Sequence, residues 1–147
     1  MRGVTDLDSG EVILIVDSAD LQTLVRSLRA SQPTIEALEV GSAAPGERDL
    51  PMRGERSLRS LEVDAADGKP LVWVDGDRVR ISGSQSGLEQ LANALVLFEE
   101  HNDLKQPGMH THFEPGATGL PNGVLDMRSC ALAVAGPVPD GQPTRPD

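Results

Sequence analysis

Two segments of the chain follow the same order of patterns, and this order limits the fold more than any other feature. "ILIVDSADLQTLVRSL" (13–28) and "VRISGSQSGLEQLANAL" (79–95) each pass from an apolar strand through a serine-containing turn into a helix with apolar residues at helical spacing. Both elements must bury their apolar side against something else. The chain is therefore predicted to be an α+β protein with two helices packed on a mainly antiparallel sheet. The similarity fits either a repeated strand–helix unit or two unrelated units of the same kind.

Residues at the two turns predict where the helices begin. Ser18 is the predicted N-cap of the first helix, because a serine oxygen can accept a hydrogen bond from an amide of the first turn. Ser86 and Glu89 have the S-x-x-E spacing of a capping box, which predicts a second helix over about residues 87–101. Both helices are thus predicted to follow directly after a strand.

The other strands are predicted from apolar runs between turn residues. The clearest signal is a hairpin at 70–82, where "DGD" separates two β-rich runs and Gly76 can adopt a positive φ angle. Further strands are predicted at 11–17, 34–40 and 58–65, and in the segments "MHTHFE", "GVLDM" and "CALAVA". These strands supply the sheet that the helices require.

The domain organisation is predicted to be simple. A length of 147 residues suits one domain with its own core, predicted over residues 1–135. Residues 41–57 are rich in Gly, Pro, Ser and charge and are predicted to form a mobile loop. Residues 136–147 contain four prolines and few apolar residues, so this C-terminal tail is predicted to be disordered.

The charge of the chain favours protein or cation partners over nucleic acid. Its 23 acidic and 13 basic residues give a formal charge of −10 at pH 7, whereas binding to phosphates gains affinity from Lys and Arg. An acidic surface attracts a basic protein or a metal cation by long-range steering, or it simply keeps the protein soluble. We therefore predict no nucleic-acid partner.

Cysteine usage and hydropathy predict a soluble cytoplasmic protein with no membrane partner. Cys130 is the single cysteine, so no intrachain disulfide can form, and its apolar surroundings predict a small buried residue and not a nucleophile. The N-terminus has no apolar signal-peptide stretch. The longest apolar run is about six residues, against about 20 for a membrane helix.

The sequence contains no catalytic signature. It lacks the G-x-S-x-G elbow, the P-loop and the dinucleotide glycine fingerprint. Asp75 and Asp77 flank a hairpin turn, where Asp is common for structural reasons. No catalytic residues are therefore predicted, and the chain is predicted not to be an enzyme. Its three aromatic residues, Trp73, Phe98 and Phe113, are predicted to anchor packing.

The stretch "GMHTHFEPG" (108–116) holds two of the three histidines and poses the sharpest question about function. Side chains alternate along a strand, so His110, His112 and Glu114 share one face. Phe113 then lies on the other face and points into the core. The two histidines are thus predicted to project side by side from the more solvated face.

Two hypotheses explain this arrangement. In the first, His110 and His112 bind a zinc ion. Since a catalytic zinc needs at least three protein ligands, His101, Glu99 or Glu100 at the end of the second helix, or Asp126, completes the set. Glu114 is about 13 Å from His110 along the strand and is predicted to be too far to share the ion with both histidines. In the second, the strand and the end of the second helix contact a protein partner. The predicted contact residues are then His110, His112, Glu114, Glu99, Glu100 and His101.

Residues 78–135 resemble a known family. "VRISGSQSGLEQLANALVLF" is followed by "GMHTHFEPGATGLPNGVLDMRSCALAVAG". A serine-capped helix, an H-x-H strand and a last apolar strand in this order resemble the small bacterial immunity proteins of polymorphic toxin systems called immunity protein 32. Ser129, Leu132 and Val134 match the "S-x-x-L-x-V" strand of that family, whereas Met109 separates the glycine from the first histidine of its G-H-x-H-like strand. The resemblance implies a non-catalytic protein that neutralises a cognate toxin by binding it.

The sequence leaves three classes of function open. The first is a small cytoplasmic binding protein without a cofactor, an immunity protein whose partner is a basic toxin. The alternative is a metal-binding protein or metalloenzyme that holds zinc through the His-x-His pair. The third is an assembly module whose exposed sheet edge forms a homodimer.

Overall fold

The structure, a computed structural model, describes residues 1–30, 32–44, 47, 54–102, 104, 106, 108–115 and 124–138. These residues form two helices and nine strands. In chain order the elements are β1 (Arg2–Asp6), β2 (Val12–Ile15), α1 (Ser18–Arg29), β3 (Thr34–Ala37), β4 (Glu55–Leu58), β5 (Ser60–Ala65), β6 (Leu71–Asp75), β7 (Arg78–Gly83), α2 (Gln85–His101), β8 (His110–Phe113) and β9 (Leu132–Ala135).

The strands form two mixed sheets. Sheet A has the strand order β4-β1-β2-β9-β8, and sheet B has the order β3-β5-β7-β6. Neighbouring strands are antiparallel except in two parallel pairs, β2 with β9 and β5 with β7. The predicted α+β class and its mainly antiparallel character are confirmed. The strands divide between two sheets, however, where the sequence predicted one.

The chain contains two equivalent units, one that begins with β1 and one that begins with β6. Each unit places strands in the sheet that the other unit begins, and the two sheets therefore have the same internal strand order. In the first unit the antiparallel pair β1 and β2 leads into α1, and in the second β6 and β7 lead into α2. The strands β3 and β5, which follow α1, join sheet B, whereas β8 and β9, which follow α2, join sheet A. Sheet A therefore runs β1-β2-β9-β8 where sheet B runs β6-β7-β5-β3, and β4 extends sheet A at β1.

The pairing register supports this equivalence residue by residue. In the parallel pair of sheet A, Val12 faces Leu132. In the parallel pair of sheet B, Val79 faces Leu61. Val12 and Val79 each lie five residues before the N-cap of the following helix. The repeated pattern in the sequence thus corresponds to a repeated unit in the fold.

One hydrophobic core lies between the helices and the inner faces of both sheets, which are the faces turned toward the helices. Phe113 of β8 is fully buried there and Phe98 of α2 is 8% exposed, as predicted. The two helices also contact each other, because Arg29 of α1 donates hydrogen bonds to Asn93 at 2.6 Å and to Glu89 at 3.2 Å. Since both units contribute to this core, neither half of the chain can bury its apolar residues alone.

The N-cap of α1 is Asp17, and the prediction of Ser18 is wrong. Asp17 Oδ1 accepts a hydrogen bond from the Asp20 amide at 2.7 Å, and Asp20 Oδ2 accepts one from the Asp17 amide at 3.2 Å. This reciprocal pair is a capping box built from two aspartates. A carboxylate also interacts favourably with the positive end of the helix.

The N-cap of α2 is Ser84, and the prediction of Ser86 is wrong. Ser84 Oγ accepts a hydrogen bond from the Gly87 amide at 3.1 Å. Glu89, the other half of the predicted capping box, pairs with Arg29 of α1 at 3.2 Å. Glu89 therefore contributes to the contact between the helices and not to the cap.

Part of the predicted loop at 41–57 has a defined structure. Residues 55–57 belong to β4, which pairs with β1. Glu47 is 1% exposed and accepts hydrogen bonds from Arg2 at 2.7 Å and from the Val138 amide at 2.8 Å. The chain thus continues to contact the domain just beyond residue 135. Residues 45, 46 and 48–53 of the predicted loop, and residues 139–147 of the predicted tail, lie outside the described residues.

The segment "GVLDM" does not form the predicted strand within its described residues, 124–127. The chain here runs along the free edge of β6: the Asp126 amide donates to the Pro70 carbonyl and the Cys130 amide to the Val72 carbonyl, both at 2.8 Å. In the equivalent place, β4 runs along the edge of β1. The two segments, β4 and residues 124–130, therefore each cover the edge of one sheet before the chain enters the other sheet.

The two caps give a stability prediction. Asp17→Ala and Ser84→Ala should each lower the free energy of unfolding by about 1 kcal/mol, because each leaves a helix amide without its acceptor. Ser18→Ala and Ser86→Ala are matched controls and should change it by less than about 0.5 kcal/mol. Urea unfolding followed by circular dichroism measures these values, and a larger loss in the controls would contradict the assignment of the caps.

Candidate functional site

The outer faces of the two sheets, turned away from the helices, differ in how far they are covered. On sheet A, four apolar residues of this face are only 0–2% exposed: Val4, Ile13, Ile15 and Ala133. Ala43, from the chain between β3 and β4, packs on them. The outer face of sheet B has equivalent strands but different side chains, and much of it is open to solvent. This open face is the first candidate site.

A row of side chains that ends at Trp73 crosses the outer face of sheet B. The pairing places Ile35, Glu62, Arg80 and Trp73 in one row across the four strands. Ile35 is 70% exposed, and the Arg80 guanidinium lies 6.0 Å from the centre of the Trp73 ring. Arg80 Nε donates a hydrogen bond to Glu62 Oε2 at 2.7 Å, and this bond is the main reason why the pKa of Arg80 is raised. The row thus combines an aromatic ring, a guanidinium group hydrogen-bonded to a carboxylate, and an exposed aliphatic side chain.

Trp73 does not anchor the core, contrary to the prediction. Its neighbours Val72 and Val74 both turn toward the core. Alternation along β6 therefore directs Trp73 outward, where it is half-buried. Only the two phenylalanines serve as the aromatic anchors of the core.

The histidine strand β8 presents its histidines on the outer face of sheet A, as the alternation predicts. His110 and His112 are half-buried and Glu114 is exposed, whereas Phe113 is fully buried on the inner face. The imidazole rings meet edge to face, with their centres 4.8 Å apart. His110 Nδ1 lies 2.6 Å from the Gly108 carbonyl oxygen, and this contact fixes the orientation of the His110 ring.

Glu11 joins this group, although no pattern in the sequence pointed to it. Glu11 Oε2 lies 3.4 Å from His112 Nδ1. One ligand atom each from Glu11, His112 and Glu114 lies within 4.8 Å of the other two, and within the described part of the chain no other group of three His, Cys, Asp or Glu residues meets this condition. The contact depends on β9 lying between β2 and β8, a pairing that no local pattern encodes.

The fold does not bring His101 or Asp126, two candidate third ligands of the zinc hypothesis, to the histidine pair. His101 lies at the exposed end of α2 and lines a cavity with Thr111, which is on the inner face of β8. Asp126 lies beside β6 of sheet B, where its carboxylate accepts a hydrogen bond from Arg128 Nε at 3.1 Å. This bond lowers the pKa of Asp126. Neither residue shares the outer face of sheet A with His110 and His112.

The predicted protein contacts fall into two separate groups. His110, His112 and Glu114 lie on the outer face of sheet A, as described above. Glu99 and Glu100 lie in the last turn of α2 with His101, on the other side of sheet A. The two groups thus lie on opposite faces of sheet A, on either side of its edge strand β8.

Cys130 behaves as a structural residue. It is half-buried and packs against the core. Burial raises the pKa of the Cys130 thiol, which disfavours the nucleophilic thiolate.

Comparison of the chain with protein-family profiles, with curated protein sequences and with solved structures finds no match. None of the helices in the described ranges is long and apolar enough to cross a membrane. The function is therefore inferred from the two outer faces, together with the partial resemblance in the sequence.

The different placement of the aromatic residues gives a second prediction. Phe113→Ala should lower the free energy of unfolding by about 3–5 kcal/mol, because it leaves a cavity in the core. Trp73→Ala should cost only about 1 kcal/mol, the range of strand propensity on an open sheet face. Urea unfolding of both variants measures the difference, and equal losses would contradict the outward orientation of Trp73.

Proposed function

We propose that the protein is a non-catalytic binding protein, an immunity protein that neutralises a cognate toxin by covering part of its surface. The observation that carries this proposal is the open outer face of sheet B, in contrast to the covered face of sheet A. A sheet face with exposed aliphatic and aromatic side chains is a common form of protein-binding surface.

The composition of this face suits tight binding. Trp and Arg are the residue types that most often dominate interface energies, and Trp73 and Arg80 are neighbours at one end of the row. Arg80 is already held by Glu62 at 2.7 Å, with Asp75 4.0 Å away on its other side. A side chain ordered before binding loses less conformational entropy when the complex forms. The face is therefore preorganised around its most important contacts.

Charge adds a preference for the kind of partner. A net charge of −10 accelerates the approach of a basic protein and disfavours nucleic acid. Toxins that act on nucleic acid are commonly basic, so an acidic inhibitor can associate with them quickly. The mixed charges beside Trp73 then contribute specificity, since each must meet a complementary group.

The resemblance to immunity protein 32 indicates that the partner is a toxin. It concerns residues 78–135, which include β7, α2, β8 and β9. A role in neutralising a toxin inside the cell requires a cytoplasmic location and no catalytic residues. Both were predicted from the sequence and belong to this proposal.

The proposal predicts which variants lose the partner. With the protein encoded by the neighbouring gene as partner, Trp73→Ala and Arg80→Ala should each weaken binding by about 30-fold or more, equivalent to about 2 kcal/mol. Arg26→Ala, at an exposed site on α1, is the matched control for the lost arginine. Leu97→Ala, at a 54% exposed site on α2, is a second control that removes an exposed apolar side chain outside sheet B. Isothermal titration calorimetry measures the affinities, and growth during coexpression measures protection.

Three results would contradict the proposal. The first is the absence of a complex with that partner, and the second is an unchanged affinity in Trp73→Ala. The third is a dimer of the free chain that dissociates in Trp73→Ala, since the face would then bind a second copy. Light scattering over a range of concentrations detects such a dimer.

A further inference from the structure

We propose that Glu11, His112 and Glu114 form a binding site for a divalent transition-metal ion of the zinc class on the outer face of sheet A. The site is distinct from the protein-binding face, which belongs to sheet B. It also differs from the zinc hypothesis drawn from the sequence: His112 is kept, whereas Glu11 and Glu114 take the places of His110 and of the third ligand. Its donor set is one imidazole nitrogen and two carboxylate oxygens, all of which zinc accepts.

The distances fit such an ion. With metal–ligand bonds of about 2.0–2.1 Å, two ligands of a tetrahedral zinc are about 3.3–3.4 Å apart. His112 Nδ1 and Glu11 Oε2 are 3.4 Å apart, which is longer than the about 2.7–2.9 Å of a charge-assisted hydrogen bond. Glu114 is exposed at the end of β8, and its ligand oxygen lies within 4.8 Å of the other two ligand atoms. The exposed Glu114 side chain is the ligand that would move toward the other two when an ion binds.

The strand between the ligands makes their approach feasible. Glu11 precedes β2, while His112 and Glu114 belong to β8 and its end, and β9 lies between these strands. Strands two positions apart are about 9–10 Å from each other. Their side chains can therefore meet only where the strand between them carries small side chains. The outer face of β9 and of the residue before it consists of alanines only: Ala131, Ala133 and Ala135. The ligands thus converge over a shallow trough on a rigid sheet.

Neighbouring charges favour a cation at this place. Asp6 is paired with the end of β2, since its amide donates to the Glu11 carbonyl at 2.9 Å, and it is 6% exposed. Glu55 lies opposite Asp6 on β4. Alternation puts both carboxylates on the outer face, in the same row as Glu11 and Glu114. A divalent cation would offset the repulsion among these groups.

The test is calorimetric titration of the full chain, without a histidine tag, with zinc chloride and in parallel with magnesium chloride. We expect one zinc per chain, and weaker binding of magnesium because magnesium prefers oxygen ligands alone. His112→Ala and Glu11→Gln should each lower zinc affinity by at least about 100-fold, beyond the 10–100-fold typical of an outer-sphere residue. Glu114→Gln should leave folding intact because Glu114 is exposed, and it should also lower zinc affinity by at least about 100-fold.

His110→Ala is the matched control, because it removes a neighbouring imidazole that is outside the ligand set. It should leave zinc affinity within about threefold of the wild type. Absence of zinc binding, or binding that persists in His112→Ala and Glu114→Gln, would overturn the site. An equal loss in His110→Ala and His112→Ala would overturn this ligand set in favour of the His-x-His pair. Zinc should also raise the melting temperature of the wild type and of His110→Ala, but not of the ligand variants.

Discussion

The two parallel strand pairs, β2 with β9 and β5 with β7, hold the molecule together because each joins strands from different units. Every residue of β2 is 0–2% exposed, so this strand is buried on both faces between β1 and β9. The helices can bury their apolar stripes only when both sheets are complete. Sheet B is complete after the chain has passed between the sheets three times, and sheet A only after a fourth passage. The fold is therefore one cooperative unit, although its pattern is repeated.

The same strand order produces two sheets with different surfaces. On sheet A the apolar residues of the outer face are covered, and His110, His112 and Glu114 lie at the β8 edge beside Glu11. On sheet B the equivalent row carries Trp73, Arg80 and Glu62 and stays open. A protein partner therefore fits sheet B, whereas a small ion fits the edge of sheet A. The two proposals concern separate surfaces, so one can fail without the other.

Local patterns predicted both helices and most strands, but they missed β1 and β4 and predicted the assembly poorly. Both helices, the hairpin at Gly76 and the orientation of Phe113 follow from periodicity and turn residues that lie next to each other in the chain. The direction of Trp73 could not be predicted, because β6 is apolar on both faces and its alternation carries no information. The caps were misplaced because each turn offers several capping residues within three positions. The contact of Glu11 with His112 depends on strand exchange, which only the whole fold defines.

Acrylamide quenching of Trp73 fluorescence tests the central claim most directly, because Trp73 is the only tryptophan. In the free chain the fluorescence should be readily quenched, since the ring lies on an open face. In the complex with the cognate partner the quenching constant should fall severalfold, and zinc alone should leave it unchanged. Strong protection in the free chain would show that the face is already covered. Unchanged quenching in the complex would show that the partner binds elsewhere, and either result would contradict a binding role for sheet B.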